Sequence, residues 1–146
     1  MDLMELLQKH DDPRRWESPI RFDYESATRR FAAFTEVLSA VLGLPLGLPL
    51  NSETRSHIQD ASFHSQIYVR LDAERNALIR FSNFGDLATV SEDEPIPEEI
   101  LKTIVGLLEK HGYIYVPASI LDQPYTGKNP GVTGIRNWWI RFFDWV

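Results

Sequence analysis

Gly134-Ile135-Arg136-Asn137-Trp138-Trp139-Ile140-Arg141-Phe142-Phe143-Asp144-Trp145-Val146 closes the sequence, and its reading decides how many strands the fold has. Three of the four tryptophans and two of the eight phenylalanines fall here. At ~25 cal/mol per Å² of buried apolar surface, so many large aromatics outweigh the cost of ordering the segment. Alternation predicts a strand that completes a sheet. Trp138, Ile140 and Phe142 then face the core, and Trp139, Arg141, Phe143 and Trp145 share the other side. On that side Arg141 lays its stem over the rings and keeps its head in water. A sharper reading makes the second face an aromatic patch for a partner, with Trp139 as a contact residue.

Working back, residues 117–136 form a loop-rich excursion. Gly127, Pro130, Gly131 and Gly134 supply its turns, and Asp122, Tyr125, Thr126, Lys128 and Asn129 are its polar groups. Long irregular loops in compact domains are often functional, so a cleft or a partner surface belongs here as much as a cover for a sheet edge. A short strand is expected at 113–116. Before it, 97–110 reads as a helix: Pro97, Glu98 and Glu99 suit its start, and Ile100, Leu101, Ile104, Val105, Leu107 and Leu108 make its apolar face. Lys110, His111 and Gly112 suit its end. The acidic loop Glu92-Asp93-Glu94 precedes it.

The middle of the chain alternates. Residues 62–71 set Phe63, Ile67, Val69 and Leu71 against a polar face of His64, Gln66, Tyr68 and Arg70. Residues 77–83 set Ile79 and Phe81 against Leu78 and Arg80, so the two segments make a hairpin. Asn83-Phe84-Gly85-Asp86 turns the chain into a third strand over 87–90. The spacing of Tyr24, Ala27, Phe31, Phe34, Leu38 and Val41 predicts a helix over 24–42, with Asp23 as N-cap and Gly43 as its stop. Gly43-Leu44-Pro45-Leu46-Gly47-Leu48-Pro49-Leu50 repeats one tetrapeptide, and its prolines favour an extended path pinned to the core by leucines. A loop at 14–19 and a polar stretch at 51–60 complete the chain. Residues 1–10 form a short helix carrying Leu3, Leu6 and Leu7 on one side. The expected class is α+β: one domain over 1–146, a single antiparallel sheet of about five strands, helices packed mainly on one face, and the order ααβββαββ.

Composition narrows the function classes. Of 146 residues, 43% are apolar and 25% charged, an ordinary globular balance. The formal net charge of −6 argues against nucleic acid or an anionic membrane as partner and permits a basic protein. With no cysteine there are no disulfides, thiolate zinc sites or thiol nucleophile. No stretch approaches the ~20 apolar residues of a membrane span, and residues 1–5 do not read as a signal peptide. A cytoplasmic bacterial protein is the expectation. His10, His57, His64 and His111 lack metal-ligand spacing, so no metal or cofactor is expected. No nucleophile elbow occurs, and Gly127-Lys128-Asn129 lacks the rest of a phosphate loop. Adjacent acids such as Glu98-Glu99 read as helix-start charge, not as an acid–base pair. The chain is not expected to be an enzyme.

Five further features point to a family. They are Phe81-Ser82-Asn83-Phe84-Gly85, the Ile96-Pro97 helix start, Gly112-Tyr113 entering a strand, Pro124-Tyr125-Thr126-Gly127, and Trp138-Trp139-Ile140-Arg141-Phe142-Phe143-Asp144. Together with the small acidic α+β character, they resemble the immunity proteins that stand beside bacterial polymorphic toxins and contact-dependent inhibition toxins. The resemblance implies a non-enzyme that binds one cognate toxin stoichiometrically and occludes its active site, in the manner of a toxin–antitoxin pair. Such toxins are often nucleases with basic active sites, which suits an acidic partner. Asp86, Glu92, Asp93, Glu94, Asp122, Tyr125 and Trp139 are the candidate partner contacts. Other readings stand beside this one: an adaptor domain or homodimer joined by an edge strand or the Trp139 face, and a ligand-binding or enzymatic domain with a cleft near 117–136.

Overall fold

Alternating apolar residues in the middle of the chain build the sheet. The structure is a computed structural model that describes residues 2–11, 23–47, 62–91, 96–127 and 137–143. Its strands are β1 (Leu46–Gly47), β2 (Ser62–Arg70), β3 (Asn76–Ser82), β4 (Leu87–Ser91) and β5 (Ile114–Tyr115). Its helices are α1 (Leu3–His10), α2 (Tyr24–Leu42), α3 (Glu98–Lys110), α4 (Ala118–Leu121) and α5 (Trp138–Phe142). The strands form one sheet in the order β1-β2-β3-β4-β5, so the α+β class with a single five-stranded sheet holds. The loop expected at 14–19, the polar stretch 51–60, the acidic residues Glu92, Asp93 and Glu94, and the excursion from 128 to 136 lie outside the described residues.

Local chemistry explains most boundaries. The Asp23 carboxylate caps α2 by accepting from the Ser26 N–H at 3.1 Å. Gly43, at φ 64°, ends that helix in the left-handed conformation, and its N–H donates to the Ser39 carbonyl. In the β2–β3 turn the Asp72 carboxylate accepts from the Glu74 and Arg75 N–H groups at 2.9 and 2.8 Å. The Phe84–Leu87 turn closes by Leu87 N–H to Phe84 C=O at 3.1 Å, with φ 60° at both Gly85 and Asp86.

Ile67, Val69, Ala77, Ile79, Phe81, Ala88 and Val90 bury one sheet face against Phe31, Phe34 and Leu38 of α2 and Ile104 and Leu108 of α3. The two long helices thus share one face, as the stripes predicted. Val41, expected in the α2 stripe, is 54% exposed. Leu42, one residue on, is half-buried and packs on this core instead, because 3.6 residues per turn rotates the stripe past Val41. A second core lies on the opposite face at one end of the sheet: Leu7, Phe84, Leu87, Val116, Leu121, Trp138, Phe142 and Phe143.

Two expectations about the sheet are corrected. It is not wholly antiparallel, because β4 and β5 pair in parallel. The α3 helix lies between them in sequence, and a crossover returns the chain in the same direction. The 138–142 segment is a helix, not the closing strand. Trp138, Arg141 and Phe142 are all fully buried at i, i+3 and i+4, and the Trp138 and Phe142 rings stack at 5.8 Å and 11°. The fifth strand is β1, from the proline-interrupted repeat. The excursion also holds a four-residue helix, α4, where only loop was expected.

Candidate partner-binding surface

Side chains alternate across the sheet, so the residues between the core positions mark its second face. From β2 these are Gln66, Tyr68 and Arg70, from β3 Asn76, Leu78 and Arg80, and from β4 Thr89 and Ser91. The register places Gly47 opposite Tyr68, Tyr68 opposite Leu78, and Leu78 opposite Ser91.

One end of this face is covered. The Ser82 hydroxyl donates to the Phe142 carbonyl at 2.7 Å, and an Arg80 N–H donates to the Phe143 carbonyl. The Thr89 hydroxyl donates to the Val116 carbonyl at 2.7 Å. The other end is open: Tyr68 is 42% exposed, Arg70 and Asn76 are exposed, and Leu78 is half-buried. Arg80 joins the two ends. Its guanidinium carbon lies 5.9 Å from the centroid of the half-buried Trp139 ring, which packs edge-on against Phe143 at 5.7 Å. The surface therefore runs from Trp139 through Arg80 and Leu78 to Tyr68 and Arg70. Tyr, Trp and Arg dominate binding hot spots because they combine large area with fixed polar geometry.

The other candidates separate. Asp86 is exposed on the turn before β4 and pairs with Arg30 at 2.6 Å. Arg30 also stacks over Tyr113, at 4.3 Å from the ring centroid. Burial and the Arg30 charge act oppositely on that phenol, and burial prevails, raising the Tyr113 pKa above its usual 10.0. Asp86 and Ser91 bracket β4, so Asp86 stands at the far end of that strand from the residue that leads into the 92–94 acids. Asp122 is exposed at the C-cap of α4. Tyr125 is half-buried, its ring 4.8 Å from that of Trp138, and its hydroxyl donates inward to Asp11 at 2.6 Å. It is held by the fold, unlike the surface group its loop position suggested.

Arg141 is corrected outright. Its head is not in water: it is fully buried, and its Nε donates to the fully buried Asp11 at 2.6 Å. Its guanidinium carbon lies 4.9 Å from the Phe84 ring centroid and 5.0 Å from that of Phe142. This node ties the end of α1, the 122–127 loop and α5 together. It is positioned as a structural clamp inside the protein.

His10 lies beside the Gly85 turn, where a Cβ built on Gly85 would sit 2.4 Å from its Nε2. Burial and, less strongly, the Lys9 charge lower its pKa below 6.5, and Asp86 opposes them. His111 Nδ1 lies 2.9 Å from the Leu107 carbonyl oxygen, and its ring packs on Phe34. Among the described residues, no three His, Asp or Glu side chains are gathered to hold a metal ion. Also among the described residues, no helix is long and apolar enough to cross a membrane.

Sequence reasoning named Trp139 but passed over Tyr68 and Arg80. Both were visible on the polar side of the hairpin, where residues are ordinarily just solvated. The signal lay in their type, tyrosine and arginine, more than in their pattern. No family model, curated protein or solved structure matches this chain.

Proposed function

We propose that this chain is an immunity-type binding protein that neutralises one cognate bacterial toxin by covering its active site. The observation that carries the reading is the half-open sheet face, on which Tyr68, Leu78, Arg80 and Trp139 offer aromatic and guanidinium contact area beside a covered core. The formal net charge of −6 adds long-range attraction for a basic toxin, which speeds encounter more than it tightens the final complex. Asp86, Asp122 and the acids Glu92, Asp93 and Glu94 supply that charge in the proposal. Mechanism is then stoichiometric: the aromatic face excludes water from the contact, and the acids steer approach.

The test begins with a tagged pull-down from the source bacterium, followed by co-expression of the retained toxin domain with this protein. Growth rescue together with a one-to-one complex supports the reading. In that complex Tyr68→Ala and Trp139→Ala each weaken binding by about 2 kcal/mol or more, the range of hot-spot truncations. Neutralising Glu92, Asp93 and Glu94 slows association and flattens its salt dependence. A toxin that stays active when saturated with this protein rules the mechanism out.

A further inference from the structure

The open sheet face contains a groove of about 270 Å³, lined by Pro45, Leu46, Gly47, Tyr68, Arg70 and Asn76. Gly47 makes it. A Cβ built there would meet Tyr68 Cβ at 3.4 Å, an ordinary contact distance. The missing side chain therefore lies on the Tyr68 side of the sheet, and its absence opens the space above β1. Pro45 and the Tyr68 ring give apolar walls. Arg70 borders the groove: its backbone N–H donates to the Pro45 carbonyl at 3.0 Å, and its Nη2 donates to the Ala73 carbonyl of the β2–β3 turn at 2.9 Å. A guanidinium carries five donors, so this side-chain contact leaves it able to bind a carboxylate. Among the described residues that line the groove, none is acidic. It is a locally cationic notch on an acidic protein.

Among the described residues, β1 is also an edge strand of the sheet. An extended segment laid along such an edge gains backbone hydrogen bonds and presents alternate side chains to one face. We infer that this groove seats a glutamate or aspartate side chain from an extended segment of the bound protein, with its methylenes against Tyr68 and Pro45 and its carboxylate on Arg70. The inference rests on the partner-binding reading and deepens it. A basic toxin drawn in by net charge would be set in register by one acidic side chain entering the cationic notch, a charge pattern that also rejects partners lacking it.

The test uses two pools of acetylated, amidated hexapeptides, identical except that one fixes Glu and the other Gln at a central position. Each is titrated into the ¹⁵N-labelled full chain. The Glu pool should shift the amides of Gly47, Tyr68 and Arg70, and the Gln pool should need at least tenfold more peptide. Gly47→Val places a branched side chain against Tyr68 at the groove floor, at a residue without a left-handed φ, and Arg70→Gln removes the cation. Each should weaken the Glu-pool response at least tenfold while thermal unfolding stays within a few degrees of wild type. Equal responses to both pools, no response to either, or an unchanged response in Gly47→Val overturns the inference. The toxin complex separates the two levels. A toxin neutralised equally well by Gly47→Val and Arg70→Gln sinks the groove and leaves the immunity reading standing. A Glu-selective groove in a protein that protects against no toxin does the reverse.

Discussion

Asp11 and Arg141 are both fully buried, and their 2.6 Å contact and the Tyr125 hydroxyl that donates to Asp11 offset part of the cost of that burial. Breaking such a pair on one side leaves the other charge buried alone. Asp11→Ala should cost about 3–5 kcal/mol in urea unfolding at neutral pH. Asp11→Leu combined with Arg141→Met should recover most of that loss, because apolar residues of similar size need no counter-charge. His10 gives a pH dependence of definite sign. Its folded pKa lies below 6.5, chiefly through burial, so in mildly acidic solution the unfolded chain binds the proton first. Stability is therefore full above pH 6.5 and falls as the pH drops through 6.5 toward the depressed folded value. His10→Gln should flatten that part of the curve in denaturant titrations taken from pH 7 to 5.

At the scale of the element, α2 shows how one helix divides into two energetic classes. Phe34 is fully buried, with ring contacts to Phe81, His111 and Tyr113 at 5.5–5.8 Å. Phe34→Ala should cost about 3–5 kcal/mol, while Val41→Ala, at a site 54% exposed, should stay within about 0.5 kcal/mol. Chemical denaturation of the two variants checks the contrast. This helix, α3 and the β2–β3–β4 meander were legible because their information is local: caps, turns and periodicity lie within a few residues of what they control. The α5 helix was not. Trp138, Arg141 and Phe142 do stand at helical spacing, but an arginine inside an apolar stripe reads as an outward residue. The reason it points inward is Asp11, which no local window contains. Likewise β1 is two residues of a proline-interrupted repeat, and the parallel direction of β5 follows from the α3 crossover. On the candidate surface, Trp139 stood out by its size. Tyr68 and Arg80 became notable only once the fold showed which half of their sheet face is covered.

Over the whole molecule, the two cores differ in how the chain supplies them. The larger one draws on α2, the sheet and α3. The smaller one gathers Leu7, Leu121 and Trp138 from short helices far apart in sequence. Short helices hold little stability of their own and depend on tertiary packing. Leu7→Ala should therefore act unevenly. Amide exchange in α4 and α5 should quicken by tenfold or more, while α2 and β3 keep most of their protection, as expected where local openings span a range of free energies. Uniform acceleration in a hydrogen-exchange experiment would mean that the two cores open as one unit.

The Asp11–Arg141 contact joins residues 130 positions apart. On a ribosome adding roughly 5–20 residues per second, Asp11 emerges on the order of ten seconds before its partner is made. Through that interval Asp11 lacks Arg141, and Leu7 lacks Trp138 and Phe142. The buried residues of the larger core all lie between Phe31 and Tyr113, so they are made before α5. The smaller one waits for α5. Vectorial synthesis thus makes the parts of the larger core available before those of the smaller one, whose contacts join α1 to α5.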